Sequence, residues 1–318
     1  MARERPVPTN GADLDGRHPG EAFHLVPGSV LLDKGPDGNS IFLEAPRGLI
    51  LVDTGRHPEH SAKLIAYARE RGRPIAAIIN SHWHLDHTTG NLDISEAYPD
   101  AHVYATTAIE GALAGFLGRN RAQADKVLSD PKTPPEQKAQ LLRGRHRIEN
   151  PDTLRPTRPV LRSGRMSIAG RTLDIRVAPF AATEADLWVY DPKAKLAIVG
   201  DLVVDLVPFM DTACPGGWRK ALDEVEKVPF QTLIPGHGPA MSRADFLTWK
   251  TAFNNLVACG RSDADKAQCV AGWERDAATF IPDSHRQYVR EAADHYIATR
   301  LRSSTEEQQK HCRPLEAT

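Results

Sequence analysis

A dense group of metal-binding residue types occupies one short segment of this 318-residue sequence. Three histidines and one aspartate fall within six residues. They are His82, His84, Asp86 and His87. Packing alone does not explain this group, because every buried imidazole needs a polar partner. Neutral imidazoles and carboxylates suit zinc, iron and related divalent ions, so the spacing predicts a metal centre.

Four apolar stretches that are typical of strands each lead into an aspartate or a histidine. They are Leu49–Val52 before Asp53, Ile75–Ile79 before the histidine-rich segment, Leu196–Val199 before Asp201, and Thr232–Ile234 before His237. In α/β proteins, side chains at the carboxyl ends of adjacent strands converge on one crevice. The sequence therefore predicts a single polar, metal-binding crevice.

The elements that must position these residues alternate between short strands and helices. Further strands are predicted at Val30–Leu32, Ser40–Leu43, Gly48–Val52, Ala101–Tyr104, Leu173–Val177 and Leu187–Tyr190. Helices are predicted at Glu59–Arg71, Trp218–Lys227 and Ser242–Ala258. Strands and helices mixed in this order indicate an α/β architecture in which helices cover the sheets.

The chain is predicted to form one main domain with additions. Residues 1–20 indicate a mobile N-terminal tail, because they are rich in Gly and Pro and lack periodicity. The domain is expected to span residues 21–245, with a charged helical insertion at about 107–158. Residues 246–318 are expected to form a C-terminal helical extension that packs on this domain.

Overall composition excludes several classes of protein. The formal net charge is −1, from 40 Lys+Arg against 41 Asp+Glu, and no basic stripe is evident. We therefore expect no nucleic-acid partner. The longest apolar runs have strand length, far below the roughly 18 residues that suggest a membrane span, so no membrane partner is expected either.

The start of the chain and its cysteines bear on the compartment. No apolar signal core follows the basic N-terminal residues, which as written predicts a cytoplasmic protein. Cys259 and Cys269 lie close together and are interpreted either as free or buried thiols or as a disulfide. A disulfide there would favour a periplasmic or secreted protein whose leader is missing from the sequence.

The ordered motifs of the chain resemble those of the metallo-β-lactamase-fold metallohydrolases. Leu-Val-Asp-Thr-Gly precedes the His-x-His-x-Asp-His cluster, and Val-Gly-Asp-Leu and Ile-Pro-Gly-His-Gly follow it in that order. The resemblance covers about residues 23–245. It implies an α/β fold, the four-layer αββα sandwich, with a one- or two-metal site on one edge.

The resemblance also implies a role for each residue of the motifs. His82 and His84 correspond to ligands of a first metal. Asp86, His87 and His237 correspond to ligands of a second metal, and Asp201 corresponds to the bridge between the two. Asp53 corresponds to a supporting residue that holds the histidine-rich loop by hydrogen bonds. An aspartate at the bridging position, without a cysteine there, is similar to the glyoxalase II and lactonase branches.

The sequence departs from the family pattern at one ligand of the first metal. The third histidine normally lies in a His-Thr-x-Gly-Asp-like segment, and Ala182 stands in its place, counted back from Asp186. Three explanations stay open: a natural loss of the ligand, an engineered substitution, and a replacement ligand such as Glu184. Natural loss is favoured because Ala185 also replaces the glycine of the motif. We therefore expect one firmly bound zinc at the second site and a weak or empty first site, with iron or manganese as alternative ions.

The expected activity is metal-dependent hydrolysis of a small-molecule substrate. A divalent ion lowers the pKa of its bound water from about 15.7 to near 7. The resulting hydroxide is expected to attack an ester, lactone, thioester or amide carbonyl, with Asp86 as the catalytic residue that orients the water. Two alternatives remain: a non-catalytic metal-binding protein that has lost a ligand, and an iron-dependent redox enzyme on the same fold.

The segment that follows Asp201 contains the candidate substrate-binding residues. Phe209, Met210 and Trp218 are expected either to line an apolar pocket or to pack as ordinary loop residues against the core. The insertion is expected to cover the crevice and to help select the substrate.

Overall fold

The computed structural model describes residues 23–29, 35–135, 138, 141–142 and 151–313. The tail predicted at residues 1–20, the strand predicted at Val30–Leu32 and part of the predicted insertion lie outside the described residues. Within them, the chain folds into two six-stranded mixed sheets with helices on their outer faces.

The first sheet carries its strands in chain order. They are β1 (Phe23–Val26), β2 (Ser40–Ala45), β3 (Gly48–Val52), β4 (Ile75–Ile79), β5 (His102–Ala105) and β6 (Arg158–Pro159). Strands β1 to β3 pair antiparallel, whereas β3 to β6 pair parallel. The parallel arrangement places the carboxyl ends of β3 and β4 side by side.

The second sheet also contains six strands. Its strands are β7 (Gly164–Ile168), β8 (Arg171–Pro179), β9 (Ala185–Asp191), β10 (Leu196–Ile198), β11 (Thr232–Ile234) and β12 (Met241–Ser242). They also lie in chain order, and β10 and β11 form the parallel pair. The carboxyl ends of β10 and β11 therefore lie side by side, as those of β3 and β4 do in the first sheet.

The α-helices of the described chain connect and cover the sheets. They are α1 (Pro58–Glu70), α2 (Leu85–Thr88), α3 (Asn91–Ala97), α4 (Ala108–Ala114), α5 (Phe116–Ser129), α6 (Pro215–Lys227), α7 (Arg243–Gly260), α8 (Lys266–Asp276), α9 (Arg286–Tyr296) and α10 (Thr305–Gln309). A π-helical turn, Ile297–Leu301, continues α9. Ser242 caps α7 by a capping box with Asp245.

Three apolar layers hold the four structural layers together. Alternation along the strands directs Ile50 to the space between the sheets, and Leu49 and Leu51 to the outer face under α1 and α3. On the other side, Trp218 and Trp249 of α6 and α7 pack with the outer face of the second sheet. The αββα sandwich implied by the motifs is confirmed.

Several helices lie beyond the core of the sandwich. Helices α4 and α5 belong to the region predicted as an insertion. Phe116 and Leu117 of α5 line part of a cavity that is described with the candidate site below. The C-terminal helices α8 and α9 pack in the same apolar cluster as α7. Among the described helices, none combines the length and apolar character that a bilayer crossing demands.

Candidate metal centre

Four strand ends deliver the polar residues to one edge between the sheets. Asp53 follows β3, the histidine-rich loop follows β4, Asp201 follows β10 and His237 follows β11. The approach is close enough to require a glycine: a Cβ atom on Gly236 would lie 2.1 Å from Asp201 Oδ1. The structure therefore brings these residues together in one crevice, as the four apolar stretches predict.

The predicted ligands form two groups that could each hold a metal ion. The first group contains His82, His84 and Asp201, and the second contains Asp86, His87 and His237. Within each group the candidate ligand atoms lie within 4.8 Å of one another. The grouping matches the division that the motifs imply.

Asp201 faces both groups with different oxygen atoms. Its Oδ2 lies 3.5 Å from His82 Nε2 and 3.7 Å from His84 Nδ1. Its Oδ1 lies 3.1 Å from His87 Nε2 and 3.5 Å from His237 Nε2. A carboxylate that presents one oxygen to each group has the geometry of a bridge, which is the position that the motifs imply for it.

Hydrogen bonds behind the histidines fix which nitrogen faces the centre. Ser81 donates its N–H and its hydroxyl to Asp53 at 2.7 Å each, so the hydroxyl oxygen accepts from His82 Nδ1 at 2.9 Å. His87 Nδ1 donates to Asp53 Oδ2 at 2.8 Å. Both histidines therefore present an unprotonated Nε2 to the centre in their neutral form. Asp53 is where the motifs imply it, behind the ligands.

A third hydrogen bond orients His84 the other way round. Thr212 donates its hydroxyl to the carbonyl of Ala182 at 2.9 Å, so its oxygen accepts from His84 Nε2, which is also 2.9 Å away. The lone pair of His84 Nδ1 then points to the side of Asp201. Sequence reasoning missed Thr212, because no local pattern marks a residue that lies 128 positions from its partner.

The donor set fits a divalent metal. His82 Nε2 and Asp201 Oδ1 are buried and have no hydrogen-bond partner among the described residues. Buried polar atoms are normally satisfied, and an ion would satisfy these two. Imidazole and carboxylate together are ligands for zinc, iron or manganese, and the donors alone do not distinguish between these ions.

Electrostatics differ between the two groups. Burial alone would lower the pKa of His87, but the carboxylates of Asp201, Asp53 and Asp86 raise it well above its ordinary value. The pKa of His237 is also raised, because two of the same carboxylates, Asp201 and Asp86, outweigh its burial. In contrast, burial and the neighbouring His82 lower the pKa of His84.

The carboxylates of the centre stay ionised despite their burial. Burial would raise the pKa of Asp201, yet His87, His82 and His237 hold it well below its ordinary value. Asp86 behaves in the same way, because His87, His237 and Arg56 lower its pKa against the effect of burial. Both carboxylates are therefore ready to bind a cation at neutral pH.

The segment around Ala182 contains no replacement ligand among the described residues. Ala182 is fully buried beside Thr212. The carboxylate of Glu184 accepts a hydrogen bond from Trp83 Nε1 at 2.8 Å and lies 3.4 Å from His311 Nδ1, outside both ligand groups. Asp186 accepts from the N–H and the hydroxyl of Thr183, and burial raises its pKa to about 7. The first group therefore has two histidines and the bridging aspartate.

A cavity of about 400 Å³ opens over the centre. Its wall is largely apolar and aromatic, with Asp37, Arg56 and Asp205 as charged members besides the ligands. The apolar and aromatic members are Pro36, Trp83, Leu85, Phe116, Leu117, Val204, Leu206, Val207, Phe209, Tyr288 and Tyr296. Arg56 lies 3.7 Å from Asp86 and is about one-third exposed.

The three predicted substrate-binding residues have different positions. Phe209 lies on the cavity wall, with its ring centroid 5.2 Å from that of His84 in an edge-to-face arrangement. Met210 and Trp218 are fully buried in the core under the second sheet and do not line the cavity. Trp218 donates its indole N–H to the carbonyl of Leu202, which accounts for its inward orientation.

Comparison with known proteins agrees with this geometry. The model of the metallo-β-lactamase superfamily matches residues 34–237. The linear primary-alkylsulfatase of a Pseudomonas species is 27% identical over 264 residues, which are 76% of this chain and 45% of that protein. The hydroxyacylglutathione hydrolase of Gloeobacter violaceus is 35% identical over 72 residues, or 23% of this chain and 27% of that protein. The chain thus spans less than half the length of the curated relatives it matches.

A solved structure supports the fold independently. A metallo-β-lactamase family protein from Thermus thermophilus superposes with a TM-score of 0.59 at 17% sequence identity, covering 85% of this chain and 93% of that one. At this identity the likeness concerns the fold alone. The match of the family model over most of the sandwich decides the family: this chain belongs to the metallo-β-lactamase superfamily.

Proposed function

We propose that this protein is a metal-dependent hydrolase that acts on an ester-type bond in a small molecule with an apolar group. One observation carries the proposal: six candidate ligand residues, Asp201 among them, form two adjacent groups, and four of the six (His84, Asp86, Asp201 and His237) line a largely apolar cavity. A site that combines a metal centre with an apolar binding wall suits a substrate with one polar, reactive end.

The residues of the chain have distinct tasks in this proposal. A divalent ion held by these residues would supply a water of lowered pKa and would polarise the carbonyl or sulfuryl oxygen of the substrate. Asp86 stays ionised and lies 3.2 Å from His237 Nε2 on the cavity wall, where it can orient a water molecule by accepting a hydrogen bond from it. Arg56, beside Asp86, can neutralise negative charge that develops on the substrate.

The cavity wall favours a particular kind of leaving or acyl group. Phe209 and Tyr296 form an edge-to-face pair with a centroid distance of 5.9 Å, and both line the cavity. Leu206, Val207 and Phe116 extend the apolar surface. Burial of apolar surface contributes about 0.8 kcal/mol per CH₂ group. We therefore expect kcat/KM to rise with the length of the substrate's alkyl chain.

A carboxylic ester or thioester is the first candidate, and a sulfate ester is the second. The relative named hydroxyacylglutathione hydrolase supports the former. The sulfate ester is favoured by the relative named linear primary-alkylsulfatase, which aligns with about three-quarters of this chain. Arg56 on the cavity wall is a cation that suits a sulfate oxygen.

A substrate panel with metal analysis tests the proposal. The oxidised chain, loaded in turn with zinc, manganese and iron, is assayed on p-nitrophenyl esters of two to twelve carbons, alkyl sulfates of matched length, lactones and a β-lactam. We expect hydrolysis of one ester class, with kcat/KM rising with chain length. The Phe209→Ala variant should flatten this rise, while Leu247→Ala, a change on the exposed face of α7, should not.

The same measurements separate the alternative functions. Metal bound without turnover on any ester would favour the non-catalytic metal-binding protein. Iron retained through purification in preference to zinc, with oxygen consumption and no hydrolysis, would favour the redox enzyme. Hydrolysis that persists in the Asp201→Asn variant would contradict a reaction at this centre.

We also propose that the protein works in an oxidising compartment. Two disulfides support this proposal: Cys259–Cys269, which is one of the two interpretations of the sequence, and Cys214–Cys312, which the sequence analysis did not anticipate. Structural disulfides persist outside the reducing cytosol. Thiol titration of the unfolded protein after expression in the periplasm and in the cytosol tests it, and thiols fully free after periplasmic expression would contradict it.

A further inference from the structure

One loop carries two residues that contact the first ligand group. This loop, residues 203–214, follows Asp201 and is called the site loop below. Its Thr212 accepts the hydrogen bond from His84 Nε2, and its Phe209 packs edge-on against the His84 ring. His84 thus depends on the site loop for both its tautomer and its orientation.

The C-terminal part of the chain holds the site loop in place. Arg300, in the π-helical turn after α9, is buried and donates its Nε to the carbonyl of Met210 at 2.9 Å. The same guanidinium donates to the carbonyl of Asp211. Cys214 at the end of the site loop forms a disulfide with Cys312, which lies 98 residues further on.

A second contact connects the C-terminal part of the chain to the histidine-rich loop. His311 lies 3.4 Å from the carboxylate of Glu184, which in turn accepts from the indole N–H of Trp83. Trp83 stands between the ligands His82 and His84 in the sequence and packs edge-on against the His84 ring at 4.7 Å. The ring of His84 is therefore bordered on two sides by groups that the C-terminal segment restrains.

We propose that Arg300 and the Cys214–Cys312 disulfide are positioning elements of the first metal site. Arg300 and Cys312 lie beyond residue 237, where the match to the superfamily model ends, so these restraints come from a part of the chain outside the matched residues. The restraint offsets part of the loss of the ligand at Ala182, because histidines held in one orientation bind a cation better than histidines that rotate freely. The inference rests on the metal centre and not on the reaction it performs.

The chain offers a matched control for each positioning element. Arg302 also donates to two backbone carbonyls, those of Gly260 and Ala264. Neither of these residues belongs to the site loop. The Cys259–Cys269 disulfide joins α7 to α8. These helices donate indole N–H groups to Val204 and Leu206 in the first part of the site loop, but neither cysteine belongs to the loop. Each control removes the same kind of restraint from the same half of the molecule.

Hydrogen–deuterium exchange on the full chain, with and without zinc, is the first test. The variants are Cys214→Ser with Cys312→Ser, and Arg300→Met. We expect amides of residues 80–89 and 203–214 to exchange at least about tenfold faster in these variants, since local opening sets the exchange rate. The controls Cys259→Ser with Cys269→Ser, and Arg302→Met, should leave residues 80–89 and 209–214 unchanged.

A variant of the hydroxyl itself keeps the test decisive if the larger changes disturb folding. Thr212→Val keeps the approximate shape of the buried residue and removes its hydroxyl, which is both the acceptor for His84 and the donor to the carbonyl of Ala182. We expect chelator competition to show a roughly 10- to 100-fold weaker binding of the first-site zinc, as for other residues that orient a ligand, with rescue by Thr212→Ser. Unchanged exchange in both segments, or equal zinc affinity of Thr212→Val and the parent, would overturn the proposal.

Discussion

The two halves of the metal centre are built from similar residues but have unequal support. The second half has Asp86, His87 and His237 around one oxygen of Asp201. All of these follow strands of the inner sheets, and Asp53 holds His87 from behind. The first half has two histidines and the other oxygen of Asp201, with Ala182 where the family pattern has a third histidine.

This difference in ligands is matched by a difference in charge. In the second half, carboxylates raise the pKa of both His87 and His237, so this half concentrates negative potential before a cation binds. In the first half, the pKa of His84 is lowered by burial and by His82. The comparison teaches that the second half attracts a cation by charge, whereas the first half relies on orientation by Thr212 and its loop.

Removal of the residue that the halves share should have the largest effect. The Asp201→Asn change takes away a charge that faces four histidines, so both halves should lose firm metal binding. We expect hydrolysis to fall by about a thousandfold or more, because metal polarisation contributes several kcal/mol to the transition state. Elemental analysis of the metal content and measurement of the hydrolysis rate check this. Asp174→Asn, a change in β8 outside both ligand groups, is the control. One metal retained per chain would show that the second half is independent of the bridge.

Restoring the missing ligand should reduce the difference between the halves. We expect the Ala182→His change to raise the metal content from about one to about two per chain, since a fourth ligand completes a tetrahedral site. Ala182→Val adds bulk at the same buried position without a ligand and should stay at the parent value. Two metals already bound to the parent would disprove the one-metal expectation and show that the orientation of His84 suffices.

Much of this centre was predictable because its candidate ligands lie in short sequence motifs. Apolar runs of strand length end at Asp53, Asp201 and His237, and parallel pairing within each sheet is enough to bring such ends together. The strands Gly48–Val52, Ile75–Ile79 and Thr232–Ile234 have the predicted bounds. Burial on both faces accounts for this agreement, because a continuous apolar run leaves little choice of boundary.

The support of the first half was not predictable, for the opposite reason. Thr212, Arg300 and Cys312 act through contacts across 128, 90 and 98 residues, and no periodicity reports such pairs. Apolar type alone also does not separate a cavity wall from a core. Phe209 faces the cavity, whereas its neighbour Met210 faces the interior, and only the path of the loop decides which.

The support behind the second half can be weakened without removing a ligand. Asp53 has a φ of 58°, a left-handed conformation that asparagine also tolerates, so Asp53→Asn keeps the backbone while removing the charge behind His87. We expect zinc affinity at the second half to fall roughly 10- to 100-fold. Asp265→Asn, at the N-cap of α8 where asparagine caps equally well, is the control. Chelator competition measures both, and an unchanged affinity would show that strand geometry alone orients His87.

The smallest effect we expect is a difference in pH dependence between the halves. The pKa values of His87 and His237 are raised, so in the metal-free protein these two histidines keep their protons to a higher pH than His84 does, and a metal must displace those protons. Zinc affinity of the second half should therefore rise with pH, by about tenfold per pH unit for each displaced proton, until the pH passes those pKa values. His84 has a lowered pKa and is already neutral, so it adds no such slope to the first half. Calorimetric titrations in buffers of different ionisation enthalpy count the released protons for each zinc equivalent. Equal proton release at both steps would mean that the two halves share their charge through Asp201, and the contrast drawn between attraction and orientation would then fail.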